Sequence, residues 1–307
     1  MQLLEQLVAV RGASGDESKV TRFILEQIKS ELPNYKVQPT ILCGDGFQDA
    51  IILVFGKPTT AIFAHIDSIG FTVGYNNNLI KIGGPRTIDG MELVGSDSQG
   101  EIETELMIIE QENGTNFLQC VSDRTIDRGT NLTFKPNFRQ TEDFIKSPYM
   151  DNRLGVWVAL EVARTLENGA IVFSTYEEHG GGSVGFLGRY LYDHYQIRQA
   201  LISDITWVTD GVTHGKGVAI SMRDIGIPRR SYLNRIIEIA QKNHIAFQLE
   251  VESAGGSDGT ALQKSDLPFD WCFIGAPEDN VHSPDETVHK YDLAAMVSLY
   301  KVLMTEL

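Results

Sequence analysis

Apolar positions change their spacing along the chain, and each change predicts a different kind of structure. Residues 16–31, "DESKVTRFILEQIKSE", place Val20, Phe23, Ile24 and Ile28 at helical spacing behind a capping-type "SGDE" start, which predicts an amphipathic helix. Two short apolar runs follow, "DAIILVFG" (49–56) and "TTAIFAHID" (59–67), each of strand length and bounded by glycine or proline. From about 73 to 145 the runs are short and alternating, broken by "NNN", "GGP", "DG", "ENG" and "RGTN", a texture of hairpins. Beyond it helix and strand patterns alternate. Helices are predicted over 153–167, 183–195, 229–244 and 292–307, and strands in "AIVFSTYE", "QALISD" (199–204), "FQLEVE" and "FDWCFIG".

Strands alternating with helices imply a mostly parallel central sheet covered on both faces. The expected fold is α/β, with residues 1–72 and 146–307 forming the main domain and 73–145 a small all-β insertion.

Composition narrows the function. A chain of 307 residues with 42% hydrophobic and 22% charged positions suits a soluble globular enzyme. A formal net charge of -15, with no cluster of Lys or Arg, argues against a nucleic-acid partner. The start "MQLLEQLVAVRGASGDESKV" has no basic-then-apolar leader pattern and no apolar run is long enough to span a bilayer, so no membrane association and a cytoplasmic location are expected. Cys43, Cys120 and Cys272 are few and far apart, giving neither a disulfide framework nor a thiolate zinc site. Any metal must use histidine and carboxylate ligands, and the sequons at Asn113 and Asn131 read as chance matches.

In an open α/β sheet, ligands sit beyond the carboxyl ends of the strands. That filter passes His65 and Asp67, Asp151, the adjacent Glu177 and Glu178, Asp204, and His282. Two histidines with several carboxylates on one rim are a nitrogen and oxygen ligand set suited to zinc, cobalt or manganese. At strand spacing His65 and Asp67 point to the same side, so Asp67 can orient the imidazole. One glutamate of the pair can bind metal while the other handles a proton. Singly, each of these residues reads first as a cap or a solvated polar group, and "DNR" (151–153) as a helix start with a charge pair. Their convergence from five connections on one edge is what favours a site. His179 is a further candidate for the substrate pocket, with a loop role as its alternative, and "GGSD" (255–258) reads as substrate site or capped turn.

A competing pattern is "GGGSVG" (180–185), which fits a dinucleotide fingerprint with Asp204 nineteen residues beyond Gly185. Glu177 and Glu178 would oppose a pyrophosphate there, and both histidines would have no role.

Taken in order, "GASGDESKV", "AHIDSIGFTV", "MDNRLGVWVALEV", "YEEHGGGSVGF", "ISDITWVTDG", "GKGVAISMRD", "GGSDGTAL" and "VHSPDETVHKYDL" make the chain resemble the cytosolic dinuclear-metal aminopeptidases of the glutamyl and tetrahedral aminopeptidase family, some once labelled cellulase or endoglucanase. The resemblance implies two divalent ions, zinc or cobalt with manganese as an alternative. Asp151 would bridge them, His65 and Asp204 would hold one, and Glu178 and His282 the other. It further implies Glu177 as general base, Asp67 as orienter, a cis peptide after Asp151, peptide substrates, and a homo-oligomer formed through the β insertion. An insertion lying between Asp67 and Asp151 separates this pattern from deacylases and dipeptidases that also carry "HxD" and "EE". The chain departs from the family in being short, in "EEHG" where "EEVG" is usual, and in "GAPEDNV" before His282. Rival functions are another amide hydrolase, a glycoside hydrolase using paired carboxylates, and a catalytically silent metalloprotein.

Overall fold

The computed structural model describes residues 1–110 and 116–307, so the "ENG" turn and the Asn113 sequon lie outside the described residues. The chain opens with α1 (Gln2–Ala9), a helix absent from the sequence expectation, which buries Leu4, Leu7 and Val8. Next, α2 (Ser18–Glu31) buries Val20, Ile24 and Ile28, the face its spacing predicts. Its start differs from a capping box. The Glu17 carboxylate accepts instead from the backbone N–H groups of Gly15 at 3.0 Å and Tyr176 at 3.3 Å, tying the helix entry to a distant turn. Strands β1 (Thr40–Leu42), β2 (Ile51–Phe55) and β3 (Ala61–His65) follow.

Six strands then close into a barrel: β4 (Gly70–Val73), β5 (Asn78–Ile82), β6 (Glu92–Asp97), β7 (Gly100–Glu110), β8 (Asn116–Cys120) and β9 (Asn131–Phe134). Phe71, Leu93, Leu106, Leu132 and Phe134 fill it, and closure removes the exposed edges that an open hairpin array would carry. Residues 139–146 share the hairpin texture but leave the barrel. They form β10 (Arg139–Gln140) and β11 (Phe144–Lys146), which extend the large sheet because Ile145 is buried in the main core.

The remaining elements are α3 (Met150–Ala163), β12 (Gly169–Ser174), α4 (Val184–Tyr195), β13 (Gln199–Trp207), β14 (Val218–Arg223), α5 (Arg230–Lys242), β15 (Phe247–Val251), α6 (Asp258–Lys264), β16 (Asp270–Asp279), β17 (Thr287–His289) and α7 (Lys290–Glu306). The main sheet runs β1-β2-β12-β3-β13-β16-β17-β11-β10, with β14 and β15 branching from β16. Its centre, β12-β3-β13-β16, is parallel, as the helix–strand alternation predicts, while the margins are antiparallel. Helices α1, α2, α3, α5 and α7 pack on one face and α4 with α6 on the other. Strands β2, β3 and β12 are fully buried and mostly apolar because both of their faces are covered.

Two local features position the site. Strand β13 continues to Trp207 rather than ending at Asp204, because its pairing with β16 runs on through Trp207 and Glu278. Helix α3 lies directly on β13: a Cβ on Gly155 would fall 2.1 Å from the Ser203 carbonyl oxygen, so only glycine permits the approach.

Candidate metal centre

Four parallel strands end on one rim, and their ends and following turns carry the candidate residues. His65 closes β3, and Asp67 lies two residues on. Glu177 and Glu178 occupy the turn after β12, Asp204 lies within β13, and His282 follows β16. Asp151 enters from the first turn of α3, where the Asp151–Asn152 peptide is cis.

The distances divide these side chains into two groups that share one member. His65 Nε2 lies 3.2 Å from Asp151 Oδ1 and 3.5 Å from Asp204 Oδ2. His282 Nε2 lies 3.2 Å from Asp151 Oδ2 and 3.3 Å from Glu178 Oε2. Asp151 thus turns one oxygen to each histidine. In both imidazoles the other nitrogen is already engaged, His65 Nδ1 with the Asp67 carbonyl at 3.2 Å and His282 Nδ1 with the Gly84 carbonyl at 3.2 Å. Such contacts place the proton on Nδ1 and leave Nε2 as a donor of electron density. His65, Asp151 and Glu178 each offer a ligand atom within 4.8 Å of the others.

Asp67 does more than face His65. Fully buried, it accepts from the N–H groups of Glu177 at 3.0 Å and Glu178 at 3.1 Å and from the Ser14 hydroxyl at 2.6 Å. The glutamate turn is therefore hung from the carboxylate that also orients the imidazole. Glycines serve the same turn: Gly180 and Gly181 take φ of +116° and +66°, values that favour glycine. His179 is exposed, accepts from the Gly83 N–H at 3.2 Å, and stands outside the cavity lining.

Electrostatics show what the cluster lacks. Burial pushes Glu177 well above the usual carboxylate range; burial and then the neighbouring Asp151 do the same to Glu178, and burial raises Asp204. Burial opposes charge on His65, but Asp204, Asp151 and Asp67 outweigh it and raise the imidazole. Asp151 goes the other way, its burial outweighed by His282 and His65. Glu178 Oε1 is buried with no hydrogen-bond partner among the described residues. Converging carboxylates, two imidazoles presenting Nε2 and an orphaned oxygen together fit divalent cations bound by nitrogen and oxygen.

Three more residues shape this neighbourhood, of which Glu286 escaped the sequence reading altogether. Glu286 is fully buried and accepts from the N–H groups of Asp151 at 3.1 Å and His282 at 2.9 Å, joining the backbones of two candidate ligands. Its signal was faint, an acid four residues after His282. Arg153 is fully buried rather than part of a helix-start pair, donates to the carbonyls of Ile66 and Val10, and faces Asp67, Glu17 and Glu178. Asp258 is buried and accepts from the Ser174 hydroxyl, while Ser257 supplies the cap of α6. Gly255 and Gly256, just before it, line the cavity of about 280 Å³ into which the cluster opens.

A family model described as M42 glutamyl aminopeptidase matches residues 95–299, well over half of the chain. A lysyl aminopeptidase of Pyrococcus furiosus is 24% identical over 100% of this chain and 97% of its own length. Among solved structures, an aminopeptidase from the archaeon Desulfurococcus kamchatkensis aligns with a TM-score of 0.87 at 22% identity, covering 100% of this chain and 94% of that one. The Pyrococcus horikoshii TET1 peptidase, described as able to assemble into a tetrahedron or a large octahedral shell, aligns with a TM-score of 0.83 at 22% identity over 100% and 99% of the two chains. On the family match the chain belongs to the M42 glutamyl aminopeptidases, and so among the hydrolases.

Proposed function

We propose that this protein is a two-metal aminopeptidase that removes N-terminal residues from peptides. The observation that carries the reading is the placement of Asp151, with one carboxylate oxygen facing His65 and the other facing His282. His65, Asp204 and Asp151 would hold one divalent ion, and His282, Glu178 and Asp151 the other, zinc or cobalt with manganese also compatible. Bound there, the ions supply Lewis acidity toward the scissile carbonyl and toward water. The chain's own groups do the rest. Glu177 lines the cavity beside the ligand set, takes the proton from the attacking water and returns it to the departing amine. Asp67 keeps His65 and the glutamate turn in register for that exchange. Glu286 is a positioning residue for the backbones of Asp151 and His282.

The large sheet with its helices then acts as the catalytic unit, and the barrel, from β4 to β9 and so close to the expected 73–145 insertion, as a unit for assembly or substrate access. Tyr75, Ile80, Ile88 and Val121 in that segment are exposed apolar side chains, which supports a homo-oligomer. Free cysteines at 43, 120 and 272 support a reducing, cytoplasmic setting, and no helix among the described residues is long and apolar enough to cross a membrane.

Amino-acid release from unblocked and N-acetylated peptides, by zinc- or cobalt-loaded protein, tests the reading. Release is expected from unblocked peptides alone, and Glu177→Gln should reduce it by about 10²- to 10⁴-fold. Cleavage of blocked peptides instead would assign the site to a deacylase-type hydrolase, and no cleavage by protein holding two ions per chain would leave a silent metalloprotein.

A further inference from the structure

Substrate preference is set by the part of the cavity that lies beyond the ligand cluster, and here that wall is acidic. Asp204 and Thr206 are two residues apart on β13, so their side chains share a face and their Cα atoms are separated by about 6.6 Å. The Thr206 hydroxyl donates to Glu250 Oε1, which holds the Glu250 carboxyl a short step beyond a metal-ligand candidate. Glu250 is 3% exposed, and Asp224 and Glu252 stand with it on the cavity wall.

Unlike Asp151, Glu178 and Asp204, none of these three carboxylates forms a salt bridge among the described residues. Among the described residues no lysine or arginine lines the cavity. Burial pushes Glu250 up to about 7, and it raises Asp224 as well despite the neighbouring Arg223. Ile205, Trp207 and Phe273 also line the cavity. Gly255, at φ +83°, brings the 253–256 loop against the indole of Trp207 and closes one side.

A cavity lined by an indole and by three carboxylates that form no salt bridge matches one kind of side chain: a hydrocarbon stem with a cationic head. We propose that this cavity selects peptides whose N-terminal residue is lysine or arginine, with Glu250, Glu252 and Asp224 receiving the cationic head and Trp207 packing along the stem. This assignment rests on the aminopeptidase reading above and deepens it. A leucine side chain would leave the buried carboxylate without a countercharge, and a glutamate would add like charge, so both are rejected by the same wall.

The test compares kcat/KM of the metal-loaded protein on unblocked tripeptides that differ only in an N-terminal Lys, Arg, Leu or Glu. Lys and Arg are expected to exceed Leu by about 10- to 100-fold, with Glu slowest. Glu250→Gln should lower the Lys-to-Leu ratio by about tenfold or more, and Glu252→Gln, at a half-buried position, gives a second reading if the first variant fails to fold. Efficient cleavage led by Leu or Glu in the unsubstituted protein would overturn the pocket assignment while leaving the aminopeptidase standing. An unchanged Lys-to-Leu ratio in both folded variants would overturn it too. If no peptide is cut, the aminopeptidase reading fails and this assignment falls with it.

Discussion

The barrel and the metal rim both bury or pin carboxylates, and they treat them in opposite ways. In the barrel, Asp97 receives two N–H groups of Arg124 at 2.6 and 2.9 Å and the backbone N–H groups of Gln99 and Asp127 at 2.9 and 3.3 Å. Arg124 foremost holds it well below the usual carboxylate range. At the rim, Glu177, Glu178 and Asp204 are pushed upward, chiefly by burial, and Glu178 Oε1 has no partner among the described residues. A carboxylate that serves the fold is supplied with donors by the fold. One that awaits a ligand is left short of them, and that shortage marks the working end of the molecule.

Arg153 is where the comparison can be broken most forcefully. It is fully buried, burial lowers its guanidinium to about 10, and it faces Asp67, Glu17 and Glu178 from below. Arg153→Met keeps the volume and removes the charge, leaving buried acids uncompensated. The expected loss is about 3–5 kcal/mol of unfolding free energy, read by denaturant titration. A loss under about 1 kcal/mol would mean that the rim acids are neutral in the native state and need no internal cation.

Next in size is a pH effect at Glu250, whose carboxyl is raised by burial from 4.5 to about 7 in the folded protein. An acid with a raised folded value contributes stability that is complete below its unfolded value and is lost as pH rises through the folded one. The window is therefore pH 4.5 to 7. Glu250→Gln imitates the protonated acid at every pH, so it should match the parent near pH 4 and exceed it at pH 8 by up to about 3 kcal/mol. Thermal unfolding of both proteins across that range checks it. A variant less stable than the parent at pH 8 would show that the carboxylate is compensated, and the rim would then resemble the barrel.

Sequence legibility follows the same division. His65, Asp67, Asp151, Glu177, Glu178 and His282 could be collected from the sequence because each stands near a strand end or helix start, and strand ends are marked by apolar runs; Asp204 was collected at the end of its apolar run although β13 continues past it. The parallel centre of the sheet was legible for that reason too: β3 and β12 are buried without interruption. Glu250 sits instead within β15, an edge strand of mixed burial, and reaches the cavity only through the branching of β14 and β15 from β16. No local pattern encodes that path. Arg153 and Glu286 were hidden for a related reason, since their neighbours come from positions 87 and 135 residues away. Helix α1 escaped because eight residues give little more than two turns of periodicity.

The smallest effect belongs to the barrel, and it is the control that gives the others their meaning. Arg124 is 34% exposed, so water can replace part of what its guanidinium gives to Asp97. Arg124→Met should lower the melting temperature by several-fold less than Arg153→Met does, and leave kcat/KM on peptides unchanged. Its pH signature also has the opposite sign from that of Glu250. A carboxylate held low contributes stability that is present above its unfolded value and disappears as pH falls through the folded one, so parent and variant should differ at pH 7 and converge in strong acid. If this exposed pair proved as costly to break as the buried guanidinium, partner supply alone would not distinguish the two regions, and the uncompensated acids at the rim could no longer be taken as the mark of a binding site.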